Sequence, residues 1–136
     1  MSHPPAPDSP VRELRVALTV DDYDAAVTFY RDVLGLPEVE AFSDGDAHVV
    51  VLAAGQATIE LVNGPQAALI DDVEVGRRVA GPVRLALEVV DSAETSQRLA
   101  AAGASIVAGP VVTPWNHRNV RLDPPEGVQL TLFTVL

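Results

Sequence analysis

The feature that most constrains this chain is an order of periodicities written twice: an alternating segment, a helical segment, then three short strand-like runs. In Glu13–Val20, Leu14, Val16, Leu18 and Val20 share one face, and Glu13, Arg15, Ala17 and Thr19 the other. Period two over eight residues is the mark of a half-buried strand. Asp21 and Asp24 suit a helix N-terminus, Ala26, Val27, Tyr30, Val33 and Leu34 recur at helical spacing, and Gly35 suits the stop. Strands are expected near Glu38–Phe42, His48–Ala53 and Ala57–Val62, with turns at Ser43–Asp46 and Ala54–Gln56. Val83–Val90 then restarts the order, with Leu85, Leu87 and Val89 opposite Arg84, Ala86 and Glu88. Asp91 and Glu94 open a second helix in capping-box fashion, Leu99 and Ala102 continue its apolar stripe, and Gly103 ends it. Strands near Ser105–Val112, Asn116–Leu122 and Val128–Thr134 complete it, punctuated by Pro114 and Asp123–Gly127.

The expected fold is therefore α+β, built from two βαβββ modules forming a cupped mixed sheet. Residues 1–10 form a disordered tail, 11–63 the first module, 64–82 a connector with a short helix around Ala67–Val73, and 83–136 the second module. Helices cover the continuously apolar sheet faces, so the mixed polar faces must line something wetter, a cup or cleft. A ferredoxin-like domain without a cavity is the competing architecture.

Composition narrows the chemistry. A formal charge of −10 opposes binding to nucleic acid or to an anionic membrane. No run approaches the ~20 apolar residues of a membrane span, and the proline-rich tail has no apolar core of a signal peptide. A cytoplasmic protein is the resulting expectation. The chain has no cysteine and no lysine, which removes thiolate sites and Schiff-base catalysis. Carboxylates, arginines, hydroxyls and the histidines of the domain body remain.

Trp115-Asn116-His117-Arg118-Asn119 is the most unusual local composition, an aromatic beside amide, imidazole and guanidinium suited to the wall of a ligand site. Alternation puts Trp115, His117, Asn119 and Arg121 on one face and Asn116 and Arg118 on the other, without saying which looks into the cup. A rim or dimer-contact strand would look the same. Glu88 and Glu13 share the polar faces of their strands with Arg84 and Arg15; either would serve as a general base if partly buried. His117 is a second catalytic candidate. His48, in phase with Val50 and Leu52, reads as a strand-end histidine with a satisfied ring; His3 belongs to the tail.

Leu14-Arg15-Val16 through Asp21, with Phe29-Tyr30-Arg31-Asp32-Val33-Leu34-Gly35-Leu36, resembles the opening of glyoxalase and bleomycin-resistance proteins. Ala57-Thr58-Ile59-Glu60-Leu61, Leu85-Ala86-Leu87-Glu88-Val89 and Asp123-Pro124-Pro125-Glu126-Gly127-Val128-Gln129-Leu130 resemble later strands of the same vicinal-oxygen-chelate superfamily, which includes extradiol dioxygenases. The resemblance implies two modules sharing a cup, a small-molecule ligand and a homodimer. In metal-dependent members the first and last strand of each module carry one ligand each. The matching positions here are Arg15, Glu60, Arg84 and Thr131, and only Glu60 is a metal-ligand type. Guanidinium has no lone pair to offer and repels a cation, so the set suits an anion or an internally neutralised cluster.

The expectation is a binder of a polar or anionic organic molecule, with no cofactor. Arg15, Arg84 and Thr131 would meet the anion, Glu60 would fix the arginines, and Trp115, Asn116, His117 and Arg118 would meet the rest. Drug sequestration and a metal-free step of specialised metabolism both suit such a site. The alternatives are a metal-dependent lyase, isomerase or dioxygenase and a metal-free acid–base enzyme using Glu88 or His117. A divalent ion held by His48, His117 and Glu60 has no support from spacing.

Overall fold

The computed structural model describes residues 8–136, so most of the expected tail, His3 included, lies outside the described residues. Its elements are β1 (Glu13–Val20), α1 (Tyr23–Val27), β2 (Glu38–Asp44), β3 (Ala47–Ala54), β4 (Ala57–Asn63), α2 (Gly64–Glu74), β5 (Val83–Glu88), α3 (Ser92–Ala101), β6 (Ser105–Val112), β7 (His117–Asp123) and β8 (Leu130–Val135). Both modules carry the expected βαβββ order. The helix start is shifted by one residue: Asp22, not Asp21, caps α1, accepting from the Ala25 amide at 3.0 Å. α1 then widens into a π-helical stretch over Thr28–Val33, where the Leu34 amide reaches back five residues to Phe29. Asp91 caps α3 through the Glu94 amide. Both caps satisfy amides that the first helical turn leaves unpaired.

All eight strands form one sheet in the order β2-β3-β4-β1-β5-β8-β7-β6. Within each module the first and last strands pair in parallel, β1 with β4 and β5 with β8. The modules meet through an antiparallel β1–β5 pair at the centre. One apolar face carries Val50, Leu52, Leu61 and Leu18 against Val27, Tyr23 and Tyr30 of the first helical segment. The equivalent face of the second module packs Val120, Leu122, Leu132 and Leu87 against Leu99 of α3. Burying such side chains contributes roughly 1.5–3 kcal/mol each, and this is the main force holding the helices on the sheet.

The connector helix is longer than the Ala67–Val73 expected, and it packs on the other side. α2, capped by Asn63 through the Gln66 amide, lays Ala67 and Ile70 on Val49 and Val62, with Trp115 beside them. It thus sits on the polar, concave face and becomes a wall of the cup.

Candidate functional site

Strand register brings the site together. Glu40 on β2 pairs with Val51 on β3, which pairs with Glu60 on β4. Glu60 pairs with Ala17 on β1, which pairs in turn with Arg84 on β5. Glu40, Glu60 and Arg84 therefore occupy a single lateral row across the concave face, separated by the small or apolar Val51 and Ala17. Arg15 stands in the next row, opposite Ala86, and Ala86 pairs with Thr131 on β8. The expected quartet of Arg15, Glu60, Arg84 and Thr131 all lines one cavity of about 360 Å³.

The two arginines are in different states. Arg15 donates to both oxygens of Glu13 at 2.8 and 3.4 Å, and lies 3.8 Å from Glu40 and 4.0 Å from Glu60. Its guanidinium also lies 5.3 Å from the centre of the Phe133 ring. Arg84 is 7% exposed, and its one side-chain hydrogen bond among the described residues goes to the Thr131 hydroxyl at 2.7 Å. No carboxylate of the described residues comes within 4.0 Å of it. Arg84 is the guanidinium with donors to spare.

Glu60 departs from its expected role. Buried and lining the cavity, it accepts no hydrogen bond from the described residues; Glu13 holds Arg15 instead. Burial raises its pKa, against the pull of Arg84 and Arg15. The electrostatics fit a carboxyl taken out of water, near two guanidiniums but hydrogen-bonded to neither. As for the general bases, Glu13 is committed to Arg15 and to the Thr58 hydroxyl. Glu88, opposite Glu13 in the register, does not line the cavity.

The face of the penultimate strand is also settled. Trp115, His117 and Asn119 line the cavity, and Arg121 continues their face beneath it. His117 stacks on Phe133 at 4.9 Å between ring centres, and burial and then Arg15 lower its pKa, favouring the neutral ring. Asn116 and Arg118, expected among the ligand contacts, do not line the cavity. Asn116 is consumed by a tight turn with φ +69°, its amide donating to Thr113 and its carbonyl accepting from Leu136. Arg118 falls on the face of Val120 and Leu122, and its carbonyl accepts from Ser92.

Sequence reasoning missed the acids of α2. Arg121, fully inaccessible, donates to Asp71 at 2.7 Å, Glu74 at 3.0 Å and Gln129 at 2.9 Å. The other oxygen of Glu74 accepts from the Asn119 amide at 3.0 Å. Asp71 further accepts from Arg78 and from the Val79 and Ala80 amides. Burial opposes its ionisation, but these donors prevail and hold its pKa at about 2. Four donors onto one carboxylate are the physical cause. The network fixes the helix whose Gln66, Leu69, Ile70 and Glu74 line the cavity.

The residues at the four positions do not fit a divalent cation. Two are permanently protonated guanidiniums, one of them bonded to the hydroxyl that would be a third ligand. Among the described residues no three His, Asp or Glu side chains are grouped to hold a metal ion. His48 takes no part: its Nδ1 pairs with the Ser43 hydroxyl at 2.8 Å and its ring lies by Tyr23, in phase with Val50 and Leu52 on the helix-covered face.

A mixed eight-stranded sheet of paired βαβββ modules, cupped around a cavity that mixes apolar walls with charged side chains, defines the class. The chain belongs to the Glyoxalase/Bleomycin resistance protein/Dioxygenase superfamily, whose family model matches residues 14–132. Among solved structures it is similar to methylmalonyl-CoA epimerase from Mycobacterium tuberculosis, with 24% identity over 96% of this chain and 93% of that one and a TM-score of 0.67. It is also similar to a variant of the Streptomyces coelicolor methylmalonyl-CoA epimerase in complex with 2-nitronate-propionyl-CoA, with 19% identity over 93% and 99% of the chains and a TM-score of 0.68. A superfamily member from Vibrio splendidus shares 17% identity over 90% and 97%, with a TM-score of 0.62. These likenesses concern the fold. No curated protein matches the chain. Among the described residues no helix is long and apolar enough to cross a membrane.

Proposed function

We propose that this chain binds a polar or anionic small organic molecule directly through side chains of the cup, without the metal quartet of its relatives. The observation that carries this reading is Arg84, a nearly buried guanidinium on the cavity wall with one neutral partner. Glu60 acts on Arg84 through space without a hydrogen bond to it, so a buried guanidinium keeps unmade donors, and an anionic ligand supplies their partner. Trp115, Phe133 and the apolar Val49, Val51 and Ile70 offer contact to the body of such a molecule. Drug sequestration and a metal-free metabolic step both use such a site.

The test begins with a thermal-shift screen of a metabolite library, because a ligand of the folded state raises the melting temperature. Arg84→Met should then raise the Kd of an anionic hit by roughly tenfold or more, the worth of a charge-assisted hydrogen bond. An unchanged Kd rejects the reading.

A second reading, isomerase-type proton transfer, is favoured by one observation: Glu60 is a cavity carboxyl with a raised pKa and no hydrogen bond, facing Arg84. Such a group suits proton abstraction beside a carbonyl, with Arg84 stabilising the enolate. Epimerases among the structural neighbours agree with it. Deuterium uptake from heavy water at the α-carbon of a carbonyl ligand, lost in Glu60→Gln, separates an enzyme from a binder. Stoichiometric metal in the purified protein would instead favour the metal-dependent alternative. We also propose a homodimer: β2 is an edge strand exposed at every residue, Val39 among them. Light scattering on the purified chain tests it.

A further inference from the structure

The charges of the cup are unevenly distributed, and the unevenness says more about the ligand than Arg84 does alone. Around Arg15 stand three carboxylates, Glu13 at 2.8 Å, Glu40 at 3.8 Å and Glu60 at 4.0 Å. When all are ionised one guanidinium leaves two negative charges over. Glu13 takes the close, two-bonded position, so the surplus falls on Glu40 and Glu60, which line the cavity. Arg84 stands in the same row beyond Ala17 with no carboxylate at contact. Of the other acids of the wall, Glu74 is spent on Arg121 and Asn119, and Asp44, at the end of β2, adds to the negative charge of the Glu40 side. Glu60 feels both guanidiniums, so the surplus of negative charge lies toward Glu40, while Arg84, bonded among the described residues to Thr131 alone, keeps donors to spare.

We infer that the ligand of this cup is a zwitterion, its anionic group on Arg84 and a protonated amine or quaternary ammonium between Glu40 and Glu60. This deepens the function proposed above and rests on it. Two further observations agree. Phe42, two residues from Glu40 on β2 and the cross-strand partner of Val49, lines the cavity at the Glu40 end, and Trp115, packed on the cluster that includes Val49, lines the same cavity. Aromatic faces next to a carboxylate are the surroundings an alkylammonium prefers. The chain also carries a formal charge of −10, so a plain anion approaches against the field of the whole protein, and a zwitterion does not. Adjacent row members lie about 5 Å apart, placing the backbones of Glu60 and Arg84 some 10 Å from one another.

Three matched probes decide it. They are 4-(aminomethyl)phenylacetate, 4-methylphenylacetate, which lacks the amine, and the methyl ester of the first, which lacks the anion. Binding is measured by calorimetry and ligand-observed NMR on the intact chain. The zwitterion is expected to bind roughly tenfold more tightly than either partner. Glu40→Gln, a change at an exposed side chain, should abolish its advantage over 4-methylphenylacetate, and Arg84→Met its advantage over the ester. Equal binding of 4-methylphenylacetate and the zwitterion overturns the inference while leaving an anion site at Arg84 standing. Equal binding of the ester and the zwitterion overturns the proposed function itself. No binding by any of the three at millimolar concentration overturns both. The comparison among ligands on the unaltered protein holds even if Arg84→Met fails to fold.

Discussion

Arg121 and Asp71, 50 positions apart, meet at 2.7 Å with neither side chain accessible to solvent. The bond ties the connector helix α2 to β7 and thereby holds the first module's half of the cup to the second's. Asp71→Ala would leave Arg121 buried with Glu74 and Gln129 alone. It would also strip a counter-charge from Arg78 and an acceptor from two backbone amides. Breaking a buried pair from one side costs about 3–5 kcal/mol. A loss of that size should appear in urea denaturation of the variant; a loss under about 1 kcal/mol would show that water takes over the role of the aspartate.

The same carboxylate should make the fold sensitive to acid. Its pKa in the folded chain is held at about 2, against an ordinary 3.8. The unfolded chain therefore binds the proton more readily, and the stability due to Asp71 is full above pH 3.8 and is lost as pH falls toward 2. The amount is about 2 kcal/mol. Urea midpoints of the wild type should fall across this window, and those of Asp71→Asn should fall less. Parallel curves would assign acid sensitivity to other carboxylates.

Much of this was legible because strands announce their faces. Alternation in β1 and β5 placed Arg15 and Arg84 on the polar face, and the family resemblance pointed to Glu60 and Thr131 beside them. The acids of α2 were hidden for a physical reason. Asp71 and Glu74 are buried on the helix, where a carboxylate normally marks the solvent side, so its pattern shows no clean apolar stripe. Their partner, Arg121, lies on a distant strand, and no local period links a helix to it. Trp115 and Arg118 posed the other difficulty: alternation separates two faces, but which one the cup takes depends on how β7 meets β8 and α3.

Gly109 is a point where the second module admits no side chain. Its φ is +100°, and a Cβ placed there would lie 2.6 Å from the Asn119 carbonyl oxygen and 3.1 Å from the Val120 Cα. Both contacts are backbone, so neither can rotate away. Gly109→Ala should destabilise the chain by roughly 1–3 kcal/mol, combining an unfavourable φ with the clash. Because the clash is with β7, cavity residues His117 and Asn119 should show amide shifts in NMR spectra larger than those of β3. A variant as stable as the wild type would mean that β6, an edge strand, simply peels away at this position.

Glu60 reverses the sign of the Asp71 argument, and the reversal separates the two experimentally. Burial raises its pKa above the ordinary 4.5, so the folded chain binds this proton more tightly than the unfolded one. The cost of keeping it charged is absent below pH 4.5, grows as pH rises through the raised folded value, and is constant beyond it. Glu60→Gln removes the titration while keeping the size and hydrogen-bonding capacity of the side chain. The variant should therefore gain on the wild type from about pH 4.5 up to the raised folded value and hold that advantage beyond it, in urea midpoints taken across that range. A zwitterionic ligand should reduce the gap at neutral pH, since a cation beside Glu60 repays its ionisation. If the wild type and Glu60→Gln run parallel from acid to neutral pH, Glu60 is not the desolvated carboxyl on which both the proton-transfer reading and the cation site rely.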